Sequence, residues 1–241
     1  MAANHSRLLL VFAACAALAI TGCSSSGTST STGGTAAVKA DPRAATKSRS
    51  DESIHRVERF TSYSDIRGAS RTGEVYLLRG LMDIFSRGMD EMAAKINRAG
   101  VYALSTSYSN WREIADEIVA RNRRREVSYP VIIMGHSLGG NDAPKMATYL
   151  GKRGVKIAYV ATFDPTEPSY VGKNIGKVVN YYLPNDNNRV YRSSGFTGTL
   201  DNVNVTRMGV THTTLEKNPA LQNRAISQVM ALTKPRRLAK R

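Results

Sequence analysis

The sequence is short of cysteine, histidine and acid. Its two cysteines, Cys15 and Cys23, both lie near the N-terminus. Neither can staple the chain downstream, which excludes the disulfide framework of many small secreted domains. The four histidines are His5, His55, His136 and His212. None joins the carboxylate pairs Asp51-Glu52, Asp90-Glu91 or Asp116-Glu117 at metal-ligand spacing, so these pairs read as helix surface and no metal is expected. There is no phosphate-binding glycine loop and no dinucleotide glycine pattern, so no cofactor is expected either. Asp and Glu number 19 against 34 Lys and Arg, a formal net charge of +15. That balance favours an anionic lipid or glycan surface, or nucleic acid. With no aromatic-basic RNA motif and an export signal at the N-terminus, nucleic acid is the poorest of these partners.

Long apolar runs are missing as well. The longest, Leu8 to Ile20, is too short to span a bilayer comfortably. It follows a short polar head with His5 and Arg7 and precedes Ile20-Thr21-Gly22-Cys23. Residues 1–22 therefore read as a signal peptide. The four residues ending at Cys23 resemble a bacterial lipobox, which implies that the Cys23 thiol receives a diacylglycerol and becomes the mature N-terminus. Ser24, where aspartate would resemble an inner-membrane retention signal, points to the outer membrane. Each buried acyl methylene contributes about 0.8 kcal/mol, so two or three chains anchor durably. Residues 23–55 are rich in Ser, Thr, Gly, Ala and basic residues without a hydrophobic period, and read as a flexible tether.

Residues 56–241 hold the folded part, where strands alternate with helices. Short apolar runs predict strands over 75–78, 101–104, 130–134, 155–163 and 177–183. Met89, Met92, Ala93 and Ile96 predict a helix over 87–98, closed by Gly100. Asn110 can cap a second helix carrying Ile114, Ile118 and Val119, and further helices are expected over 138–150 and 214–232. This alternation argues for a mostly parallel sheet covered by helices on both faces, with ligands at the carboxyl ends of the strands. No long insertion separates the strands, so a compact domain without a large lid is expected.

Gly135-His136-Ser137-Leu138-Gly139 matches Gly-x-Ser-x-Gly between an expected strand and an expected helix, the context that gives this short pattern meaning. Small neighbours let the backbone bend and let a carbonyl reach the hydroxyl. The helix N-terminus adds a positive field where an oxyanion would form, and the Leu138 N–H is placed to donate to it. A second donor is expected from Arg79-Gly80-Leu81-Met82 after the first strand, with Leu81 N–H favoured. His136 flanks the serine, and its side chain is expected to pack away from the hydroxyl.

This pattern, over about Val75 to Leu232, resembles the α/β-hydrolase superfamily, above all its lipase-like branch. The resemblance implies a triad in the order serine, acid, histidine. Ser137 would be the nucleophile. His212, the one histidine after the elbow, would be the base; it lies just before the last expected helix. For the acid, Asp164 in Phe163-Asp164-Pro165 resembles the corresponding segment of pancreatic-type lipases. Asp186, after the fifth strand, is the rival, and Glu167 the third choice.

Pro144 departs from the pattern and predicts a late start or a kink in the elbow helix. The resemblance implies hydrolysis of a small-molecule or lipid ester through an acyl-enzyme at the cell envelope. Acyl transfer or thioester cleavage by the same triad is the close variant, and a non-catalytic envelope-binding lipoprotein the alternative of another class. Arg121 and Arg123 to Arg125, with Lys234, Arg236, Arg237, Lys240 and Arg241, read as solvated basic groups facing any anionic surface.

Overall fold

A computed structural model of the chain describes residues 63–81, 86–185 and 187–237. The signal peptide, Cys23 and the tether, with Met82, Asp186, Lys240 and Arg241, lie outside the described residues. After a short helix, α1 (Tyr63–Gly68), the chain enters β1 (Glu74–Arg79), whose Val75 to Leu78 are wholly buried. Such a strand must be covered on both faces, and its side chains alternate between two layers. Val75 and Leu77 join one apolar cluster, Tyr76 and Leu78 the other. The other central strands are β3 (Val131–His136), β4 (Ile157–Phe163) and β6 (Ile175–Tyr182), with β2 (Tyr102–Ser107) and β8 (Thr199–Asn204) at the edges.

The sheet order is β2-β1-β3-β4-β6-β8, and every neighbouring pair is parallel. Helices α2 (Arg87–Arg98) and α5 (Pro219–Leu232) cover one face through Met89, Met92, Leu221 and Val229. Helices α3 (Trp111–Arg123) and α4 (Leu138–Lys152) cover the other through Ile114, Ile118, Met146 and Leu150. There a two-stranded ribbon, β5 (Ser169–Val171) with β7 (Val190–Arg192), adds Val171 and Val190 to the same cluster. The α/β layering expected from the sequence is the observed architecture. The chain passes from β1 out to β2 and then back to β3 on the opposite side of β1. In open α/β sheets such a reversal marks the place where ligands bind, here the carboxyl ends of β1 and β3.

Several local expectations change. A sixth sheet strand, β8, exists although Thr199-Leu200-Asp201-Asn202-Val203-Asn204 is mostly polar, because it is an edge. Its Asn202 amide accepts from the Val190 N–H (3.1 Å) and donates to the Val190 carbonyl (3.0 Å), standing in for a strand partner of β7. The last helix begins five residues later than expected. A short 3-10 turn, Leu215–Lys217, precedes Asn218, whose side chain caps α5 by accepting from Ala220 N and Leu221 N, with Pro219 in the first turn. Asn110 stands before α3 but makes no side-chain cap; it donates instead to Thr106 Oγ1 at 2.8 Å. Helix α4 starts at Leu138 and continues past Pro144.

The basic groups are also less free than the sequence implies. Arg121 is buried, forming two 2.8 Å hydrogen bonds with the two oxygens of Glu74 at the start of β1. Those oxygens also accept from Ser128 N (2.6 Å) and Tyr76 OH (2.7 Å). Arg236 donates to Ile66 O, Arg71 O and Ser128 Oγ, so the start of the basic tail is bound to the domain. A charge left alone in such a place is costly. Glu74→Ala should lower the unfolding free energy by about 3–5 kcal/mol in urea titration, whereas Glu74→Leu with Arg121→Met should recover most of that loss.

Candidate active site

The carboxyl end of β3 leads into one strained residue. Ser137, between β3 and α4, has φ 57° and ψ −121°, a conformation that L residues rarely adopt. Two backbone bonds hold it, from Ser137 N to Phe163 O (3.0 Å) and from Asn141 N to Ser137 O (3.1 Å). The glycines around it are required by close approach rather than by φ. A Cβ on Gly135 would run into the Gly139 carbonyl, and one on Gly139 into the Leu78 carbonyl. At Gly80 a Cβ would stand 2.9 Å from Ser137 Cβ.

Two further side chains meet Ser137. His212 Nε2 lies 3.0 Å from Ser137 Oγ, and His212 Nδ1 lies 2.7 Å from Asp164 Oδ2. The carboxylate accepts, so Nδ1 carries the proton and Nε2 is left to accept from the hydroxyl. Asp164 holds the His212 imidazole above its ordinary value, chiefly through that hydrogen bond. His212 reaches the site from a loop before α5, and its side chain is 41% exposed.

Asp164 is held in its turn. It follows β4 with φ 48°, and its Oδ1 accepts from Leu183 N (2.9 Å) and Asn188 Nδ2 (3.0 Å). Asn188 is placed by a polar ladder across the sheet. Thr162, Asn180 and Asn202 are register neighbours on β4, β6 and β8. Thr162 Oγ1 donates to Asn180 Oδ1 (2.7 Å), while Asn180 Nδ2 donates to Asn188 O and Asn202 Oδ1 (2.8 Å each). Nothing in the sequence reading pointed to these residues. The available signal was Asn180, a polar residue inside the apolar run Val178 to Tyr182.

His136 is buried, and burial pushes its imidazole down to about 4. As expected it does not face the Ser137 hydroxyl, yet it does more than pack. Its Nδ1 lies 2.8 Å from Ser86 Oγ and its Nε2 lies 2.8 Å from the His212 carbonyl. Glu216, on the 3-10 turn before α5, is buried with neither oxygen hydrogen-bonded, and burial raises its carboxyl.

Two backbone segments are expected to supply donors, the start of α4 and the residues after β1. Leu138 is the first residue of α4, so its N–H has no partner within the helix. Leu81 follows β1 and is exposed; the N–H of Gly80 before it is already given to Ser86 Oγ (2.8 Å). Glu167 stands apart, its side chain exposed and 3.8 Å from Lys145. Asp186 and Cys23 lie outside the described residues. Among the described residues no group of three or more His, Cys, Asp or Glu is placed to hold a metal ion. A hydroxyl bonded to an imidazole that is itself bonded to a carboxylate can act as a nucleophile, because the imidazole takes the proton and the carboxylate stabilises the cation.

No family model matches the chain, and no curated protein matches it. Solved structures do resemble it in fold. A metagenome-derived lipolytic enzyme is 13% identical, covering 69% of this chain and 99% of its own, with a TM-score of 0.43. An acetylxylan esterase is 14% identical, covering 68% and 99%, with a TM-score of 0.42. A hyperthermophilic esterase from the archaeon Pyrobaculum calidifontis is 14% identical, covering 68% and 76%, with a TM-score of 0.40. These likenesses concern the fold alone.

Proposed function

We propose that this chain is a serine hydrolase that cleaves carboxylic esters at the bacterial cell envelope. The observation that carries this reading is the hydrogen-bonded series Ser137 Oγ, His212 and Asp164, with spacings of 3.0 and 2.7 Å. In the first half-reaction Ser137 Oγ bonds to the acyl carbon while its proton passes to His212 Nε2. Leu138 N–H and Leu81 N–H donate to the carbonyl oxygen as it gains charge. The bond to the alkoxy group then breaks, and the proton on Nε2 leaves with the alcohol. Water repeats the sequence on the acyl-enzyme, giving the acid and restoring Ser137. Asp164 keeps Nδ1 protonated throughout. Anchoring is carried by the lipobox-like run ending at Cys23.

A fluorophosphonate should label Ser137, and Ser137→Ala should abolish labelling; well-folded protein that stays unlabelled rules the reading out. Asp164→Asn should lower kcat by about 10⁴-fold, while Asp186→Asn leaves it close to wild type. The pH profile has a defined sign. His212 must be neutral to accept the proton, and Asp164 raises its pKa, so kcat/KM should fall on acidification through a value above 6.5. An acid limb at or below 6.5 contradicts the geometry. Mass spectrometry of the protein from membranes should find Cys23 acylated at the mature N-terminus; a free N-terminus elsewhere excludes the anchor.

A further inference from the structure

We propose that His136 is a positioning residue, tying the loop after β1 to the loop that carries His212 so that the two sides of the site are held as one unit. This rests on the serine-hydrolase reading. The bonds have a fixed direction. The His212 carbonyl can only accept, so His136 Nε2 carries the proton across the 2.8 Å contact. Nδ1 is then unprotonated and accepts from the Ser86 hydroxyl at 2.8 Å. Ser86 Oγ in turn accepts from the Gly80 N–H at 2.8 Å. Three hydrogen bonds thus join the backbone next to Leu81 to the backbone of His212, through a ring that is itself buried.

The surroundings favour this single arrangement. Glu216 lies 3.9 Å from His136 Nε2 and forms no hydrogen bond with it. His212, Asp164 and Lys217 act on the His136 ring through charge, with burial as the larger influence, and the ring stays neutral around pH 7. The ring centroids of His136 and His212 are 5.0 Å apart. Neutral His136 therefore sets no second positive charge beside the imidazolium that forms on His212. Simple packing would need only the shape of the ring. The relay needs a donor at the Nε2 position and an acceptor at Nδ1.

The test uses p-nitrophenyl butyrate hydrolysis, after fluorophosphonate labelling of the wild type has tested the underlying reading separately. His136→Phe keeps the ring and removes both bonds. It should lower kcat by about 10²-fold, the scale of an ångström's misplacement, with KM little changed. His136→Gln places an amide donor near the His212 carbonyl and should recover about tenfold of that loss. Ser86→Ala should also lower kcat, and the Ser86→Ala/His136→Phe double variant should lose no more than His136→Phe alone. The downfield NMR signal of the His212 Nδ1 proton should shift in His136→Phe and return in His136→Gln, a readout independent of turnover. A folded His136→Phe within about twofold of wild type, equal Phe and Gln variants, or additive losses would overturn the proposal. Should His136→Phe fail to fold, an unchanged kcat in Ser86→Ala overturns it equally.

Discussion

Where α4 leaves β3, three stretches of backbone pass so close that no Cβ fits between them. Gly139 lies against the carbonyl of Leu78 at the end of β1, Gly135 against Gly139, and Gly80 against Ser137 itself. That contact seats the first turn of α4 directly on β1 and β3. It sets Ser137 on a strained bend between β3 and α4, and it brings Gly80, just after β1, against the Ser137 side chain. A single added methyl group would separate elements that must touch. Strain at Ser137 persists because the strands on either side leave the backbone no alternative.

The central sheet was legible because its strands are apolar on both sides, and α2 and α3 because their apolar residues recur at helical spacing. What the sequence hid was polar. Edge strand β8 has no apolar run to announce it, since one side of its ladder is open to solvent. β5 and β7 are too short to show a period. Asn218-Pro219 is a helix start that a longer helical reading over 214–232 concealed. At the site, the elbow pattern and the family resemblance pointed to Ser137, His212 and, ahead of Asp186 and Glu167, Asp164, and the structure brings those three side chains to one place. The groups that hold them were not readable. The interaction of Asn188 with Asp164, like that of His136 with the His212 carbonyl, joins segments far apart in the chain, and no local pattern encodes it. Arg121 misled in the other direction. Beside Arg123, Arg124 and Arg125 it looks like surface, but only its place on α3 opposite Glu74 decides that it is buried.

The polar groups at the two ends of the sheet are connected in different ways. At the amino end, Glu74, Tyr76 and Arg121 form a closed set of hydrogen bonds, and Arg236 fastens the last described residues against the same end. At the carboxyl end the polar groups are chained but not closed: the series runs from Asn180 through Asn188 and Asp164 to His212, and ends on Ser137. A closed polar set gives rigidity. An open one ends on a hydroxyl that has only one of its neighbours fixed by the series.

The polar strand β8 has a consequence for how the protein behaves among its own copies. An outermost strand carries a row of backbone groups that another chain's strand could pair with, which is the usual start of edge-to-edge aggregation. Here that edge is presented by Thr199, Asp201 and Asn204, exposed and without apolar side chains. Asn202 is occupied with Val190 and unavailable to a newcomer. The residues that conceal β8 in the sequence are thus the same ones that give its open edge polar side chains, a feature that works against pairing with another chain's strand.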